Sequence, residues 1–191
     1  MNKFVTTVAA GVALVAIAAP AHASNHSGGR IEALVGWDHP SVGLADFGLD
    51  GDINSDGIVF GIGAGYDFAV GPTASIGIDL EASESTADFD FDDGVDTAEI
   101  AAGRDLYVGG RATFVVSPTA NVYVKAGYTN ARFRAELNGD RESANADGVR
   151  GGIGAQFALG GNAYVGGEYR YSNYEADLSR HQAVVTFGFR M

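Results

Sequence analysis

The chain predicts an all-β fold, an eight-stranded antiparallel up-and-down transmembrane β-barrel. Three observations carry that expectation. Apolar side chains recur at every second position through eight segments of about a dozen residues, the period of an extended strand. The alternate positions of the same segments hold glycine and charge, which suits a narrow lumen better than a solvated face. The connections alternate between long acidic stretches and short turn-forming ones, as in barrels with large loops on one side of a membrane and tight turns on the other.

The first strand is expected over 30–38, with Arg30, Glu32 and Gly36 inward and Trp37 outward. In the second, 57–68, Ile58, Phe60, Ile62, Ala64, Tyr66 and Phe68 alternate with Val59, Gly61, Gly63, Gly65 and Asp67. The third, 73–84, turns Gly77, Asp79 and Glu81 inward, and the fourth, 104–116, does the same with Asp105, Gly109 and Arg111 while sending Phe114 out. The fifth, 121–133, has Lys125 and Gly127 inside and Tyr128 outside; the sixth, 148–159, has Arg150, Gly152 and Gly154 inside and Phe157 outside. In the seventh, 162–172, Gly166, Glu168 and Arg170 face in, with Tyr169 and Tyr171 facing out. The last, 181–191, alternates Ala183, Val185, Phe187, Phe189 and Met191 with Gln182, Val184, Thr186, Gly188 and Arg190. Ala69-Val70-Gly71-Pro72, Ser117-Pro118-Thr119-Ala120 and Gly160-Gly161 are tight turns by composition. The long connections fall at 39–56, 85–103, 134–147 and 173–180.

Residues 1–23 read as a secretory signal peptide: Lys3, an apolar run from Val5 to Ala19, and small residues at Ala21-His22-Ala23. The barrel domain then covers 24–191. No later apolar run is long enough for a spanning helix. A closed barrel is the other way to satisfy every backbone group in lipid, so the expected location is the bacterial outer membrane. With an even strand number both termini lie on the turn side, in the periplasm, and the long loops are extracellular. The chain has no cysteine and hence no disulfide framework.

Charge is sharply partitioned. The four long connections carry sixteen of the 24 acids and only Arg134, Arg141 and Arg180 as bases. The acidity of the chain, net −12, therefore belongs to the loops and argues against nucleic acid as a partner. Divalent cations at the acidic loops are the expected small-ion partners, and no extracellular partner can be read from these residues. The inward phase is balanced instead. Glu32, Asp67, Asp79, Glu81, Asp105 and Glu168 stand against Arg30, Arg111, Lys125, Arg150, Arg170 and Arg190. Buried charges must pair, and neighbouring strands offer Arg111 to Asp79 and Glu81, and Glu168 and Arg170 to Arg150. The outward aromatics form two belts for the bilayer interfaces. Tyr66, Phe68, Phe114, Phe157, Phe187 and Phe189 lie near the turn ends, and Trp37, Tyr128, Tyr169 and Tyr171 near the loop ends.

Signs of chemistry are weak. Asp52-x-Asn54-x-Asp56-Gly57 has the spacing of half a calcium loop, but its twelfth position is Gly63 and a strand follows, so no metal site is assigned. The acids of the second loop, Asp88, Asp90, Asp92, Asp93, Asp96 and Glu99, are open to loose cation association. Asp177, Ser179 and His181 share one strand face, which is not a triad. His26 and His39 lack ligand spacing. The glycines at 61–65 lack the spacing and following helix of a nucleotide cradle. No enzyme activity and no cofactor are expected.

The signal peptide, the eight alternating strands and the segment His181 to Met191 together resemble the small eight-stranded outer-membrane barrels, the family of the OmpA membrane domain, OmpX and opacity-type surface proteins. The resemblance covers the whole mature chain. It implies recognition by the barrel assembly machinery, which in that family reads an outward aromatic at the end of the last strand. Met191 holds that place here, behind Phe187 and Phe189. It also implies a structural and surface-interaction role with a closed, salt-bridged lumen; the alternative is a small passive pore for ions or small solutes. A lipid-modifying barrel enzyme shares the architecture, but a matching His and Ser constellation is not evident in this chain.

Overall fold

Steric demand inside a narrow tube and lipid outside it divide every strand between two faces. The computed structural model describes residues 27–43, 51–92, 97–137, 140–175 and 177–191, with the side chains of 89–101 and 134–142 excepted. The expected signal segment, His26, Asp93 and Asp96 lie outside the described residues, as do the side chains of Asp90, Asp92 and Glu99. The strands are β1 (Gly28–Gly43), β2 (Asp52–Asn54), β3 (Gly57–Ala69), β4 (Ala74–Ser85), β5 (Asp88–Asp92), β6 (Thr97–Ser117), β7 (Ala120–Leu137), β8 (Asp140–Gly160), β9 (Ala163–Tyr174) and β10 (Leu178–Arg190).

Eight of them, β1, β3, β4, β6, β7, β8, β9 and β10, form a closed antiparallel barrel in which each pairs with the next and β10 returns to β1. The short β2 and β5 add to β1 and β6 within the long connections. The seam register runs from Arg30↔Arg190 to Val42↔Leu178. Accessibility is inverted relative to a water-soluble barrel: Arg170 and Arg150 are 0% and 1% exposed, whereas Ile62 is 68% exposed. An apolar face this open requires a hydrocarbon solvent.

All four long connections are shorter than expected: β1 runs on to Gly43 and β6 begins at Thr97, and the other two are nearly consumed by strand. β7 and β8 continue to Leu137 and Asp140, so 134–147 is mostly a paired hairpin (Glu136↔Arg141, Arg134↔Ser143). Likewise β9 and β10 leave only 175–177 between them. Beyond the bilayer the outward face of a strand meets water instead of lipid, and the alternation that marks a lipid-facing strand disappears.

Inward glycines let large side chains lie across the lumen wall. Tyr123 faces Gly154 across β7–β8, and Tyr164 faces Gly188 across β9–β10. A Cβ at Gly154 would sit 2.4 Å from the Tyr123 ring, and one at Gly188 would sit 2.4 Å from the Tyr164 ring. The outward Gly151 and Gly167 meet nothing within 4 Å.

Candidate functional site: the lumen charge ladder and the outer rim

Period-two alternation delivers charged side chains from all eight barrel strands into one enclosed column. Near the loop end, Asp38 on β1 accepts from Arg180 and Gln182 on β10, the latter at 2.9 Å, and from Ser85 on β4. Arg180 also reaches Asp105 on β6 at 3.2 Å. Asp105 accepts from Thr129 at 2.6 Å, Tyr174 at 2.7 Å and Arg150 at 2.5 Å. Arg150 extends the chain of contacts to Glu81 at 3.2 Å.

Glu81 is the hub of the middle tier. Both its oxygens lie 2.7 Å from Arg170 Nη1, and Lys125 Nζ stands 3.4 Å away. Lys125 lies 2.7 Å from Glu168, which also accepts from Tyr123 at 2.7 Å. The turn end is organised by Glu32, which accepts from Tyr164 at 2.6 Å and Gln156 at 3.2 Å. Arg30 joins Glu32, Asp67 and Asp79. Arg190 closes the tier on Asp67 at 3.0 Å and Gln156 at 2.8 Å.

The pairings differ from the adjacent-strand expectation. Glu81 bonds Arg170, Arg150 and Lys125 across the lumen rather than Arg111 beside it. Arg111 stands 3.4 Å from Glu32 and 3.8 Å from Asp79, and its guanidinium lies 3.4 Å from the centre of the Tyr123 ring. That cation–π stack supplies part of what the loose ion pairs lack. Arg150 pairs with Asp105 and Glu81 instead of Glu168. Alternation fixes which face a residue takes but not how far its side chain reaches across a tube.

Two members of the ladder escaped the sequence reading: Asp38, at the edge of its predicted strand, and Arg180, assigned to a loop. Both are buried. With them the ladder holds seven acids and seven bases joined by ion pairs. One lumen cavity, bordered by Arg30, Asp79, Glu81, Tyr107 and Lys125, has a volume of about 10 Å³, room for about one water molecule. A hollow of about 790 Å³ lies on the lipid face, over Ala33, Ala64 and Ala82.

At the outer rim the loop-end aromatics acquire polar partners. Trp37 Nε1 donates to Asp56 Oδ1 at 2.9 Å, and His39 Nδ1 meets the same oxygen at 2.9 Å. Trp37 and His39 are stacked, 5.2 Å apart. On the other side of the seam Tyr169 Oη lies 2.6 Å from His181 Nδ1, and Tyr171 packs on His181 at 4.8 Å. Tyr128 donates to Asp147 at 2.5 Å. At the turn end Tyr66, Phe68, Phe114, Phe157 and Phe189 are exposed outward, and Phe187 is half-covered by its edge contact with Phe189. Asp52 and Asn54 lie on β2, where Asn54 accepts from Ser41 at 2.7 Å. Among the described residues no three or more His, Asp or Glu side chains are arranged to hold a metal ion.

Asp56 lies in the connection between β2 and β3, outside the membrane-spanning strands. The hydrogen bonds from His39 and then Trp37 hold its carboxyl below the usual carboxylate range. A depressed folded value gives stabilisation that is complete above the unfolded value and lost as pH falls through the folded one. Trp37 is the single tryptophan, so it reports this directly. Its emission should change on acidification with a midpoint below the ordinary aspartate value, and Asp56→Asn should abolish the transition. A midpoint at or above the ordinary value would rule out the coupling.

A family profile described as outer membrane protein β-barrel domain matches residues 7–190. No curated protein matches the chain closely enough in sequence to count as a relative. Among solved structures, Neisserial surface protein A (NspA) is similar at a TM-score of 0.62 and 14% identity, over 86% of this chain and 98% of that one. Ail, the attachment invasion locus protein of Yersinia pestis, is similar at 0.56 and 17%, over 86% and 99%. Its complex with the heparin analogue sucrose octasulfate is similar at 0.55 and 15%, over the same shares of the two chains.

Proposed function

This chain belongs to the outer membrane protein β-barrel domain family, and from that premise we propose a structural, non-catalytic barrel, closed by its charge ladder, that presents acidic loops as an interaction surface. The observation that carries the reading is the filled lumen. Arg30, Arg150, Arg170 and Arg180 are essentially inaccessible, and a cavity among the ladder residues is of single-water size. A conducting path needs hydrated space that eight strands with this filling do not leave.

The loops face the exterior and both termini the periplasm in this reading, supported by the short turns at 70–73, 118–119 and 161–162. The segment before residue 24 is removed as an export signal, and the outward Phe187, Phe189 and Met191 serve recognition by the assembly machinery. The polyanionic sugar analogue bound to Ail is a poor guide to the ligand here. Sixteen loop acids against three arginines, one of them buried, favour divalent cations or a cationic extracellular partner.

The test is single-channel conductance of the refolded mature chain in planar bilayers over a range of salt. Silence, or rare small openings, is the expected result. Steady, cation-selective steps would replace this reading with a passive pore.

A further inference from the structure

The rim cluster at the seam contains two imidazoles that the lumen ladder does not use. His39 on β1 and His181 on β10 are direct partners in the antiparallel register. Both belong to the outward phase, one step beyond the pair Trp37↔Ala183. Direct partners on antiparallel strands have Cβ atoms about 4.5–5.5 Å apart, a spacing from which two imidazoles can turn onto one ion at about 2.0–2.1 Å.

Each ring already has Nδ1 anchored, on Asp56 Oδ1 at 2.9 Å for His39 and on Tyr169 Oη at 2.6 Å for His181. Metal-binding histidines characteristically offer one ring nitrogen to the ion and donate the other N–H to a carboxylate or similar acceptor. Asp56 stands where such an outer partner belongs for His39, and Tyr169 Oη does so for His181 in the tautomer that donates from Nδ1, which leaves Nε2 of each ring for a ligand. Hard calcium and magnesium take oxygen ligands, so this chemistry is separate from the acidic loops.

We propose that His39 and His181 form a two-imidazole site for a divalent transition metal at the outer rim, with water completing the coordination. A site of two nitrogens and water imposes little geometry, so preference follows the first-row order and peaks at Cu²⁺.

The experiment titrates Cu²⁺ into the refolded, untagged mature chain carrying His26→Ala, followed by calorimetry and electron paramagnetic resonance. The background change is needed because cleavage after Ala23 would leave Ser24-Asn25-His26 at a free amino terminus, itself a Cu²⁺ chelate through amine, amides and imidazole. One Cu²⁺ per chain with a two-imidazole nitrogen pattern is expected. Binding should weaken at least about tenfold in His39→Gln and in His181→Gln, and Tyr169→Phe should weaken it by about 10–100-fold as an outer-partner loss. Equal binding by the double variant His39→Gln/His181→Gln would overturn the proposal, as would no binding in the His26→Ala background. Gel mobility and circular dichroism verify that each variant remains folded, so that lost binding is read from intact barrels.

Discussion

Replacing Glu81 by glutamine should lower the unfolding free energy of the lipid-embedded barrel by about 3–5 kcal/mol, the cost of breaking a buried ion pair by removing one partner. The substitution keeps the shape and removes only the charge. Arg170, Arg150 and Lys125, all buried, then share a neutral amide. Urea unfolding in vesicles, or the temperature at which the folded band is lost on semi-native gels, measures the effect. Arg111→Ala should cost less, because its ion pairs are 3.4 and 3.8 Å long. A Glu81→Gln barrel within about 1 kcal/mol of the parent would mean that the ladder contributes little to stability.

Gly127→Ala should reduce stability by about 1–3 kcal/mol or more through overpacking, with a matching loss of folded yield. Gly127 is the direct partner of Gly109 across β6–β7. A methyl group there would lie 2.2 Å from the Val108 carbonyl oxygen and 2.4 Å from Gly109 Cα. Backbone atoms of a paired strand cannot swing aside as a side-chain tip can, so the two strands must part. The control is the opposite face. Gly151→Ala and Gly167→Ala point into open space and should be neutral or slightly stabilising, since alanine costs less conformational entropy than glycine. Equal losses on the two faces would show that strand propensity, rather than close approach, governs these glycines.

The membrane explains why so much of this fold is legible in the chain. Lipid forces one face of each strand to be apolar, and a narrow lumen forces the other to be small or charged, so strand centres and phases follow from a step of two. The same reasoning fails where its cause ends. Arg180 and the hairpin around 134–147 lie where water bathes the outside of the barrel. There the outward face carries no obligatory pattern, and a buried arginine looks like any loop arginine. Partner choice is hidden for a different reason. Glu81 and Arg170 sit on β4 and β9, far apart in strand order, and meet because both side chains are long enough to cross the tube. The rim cluster was hidden as well. Trp37 read as a belt residue, while its bond to Asp56 depends on a connection whose path alternation does not specify.

The pairing of β1 with β10 separates one join from the other seven. Each of those links barrel strands that follow one another along the chain, through a single turn or loop, and can form as its two strands become available. The last must bring Asp38 to Arg180 and Gln182, groups more than 140 positions apart. Until then two strand edges face the bilayer with unmet backbone groups, a state that lipid does not tolerate. Assembly of this chain is therefore a problem of sheltering an open sheet until residue 178 onward arrives. Contacts of Asp38 that form only at closure slow reopening rather than speed formation.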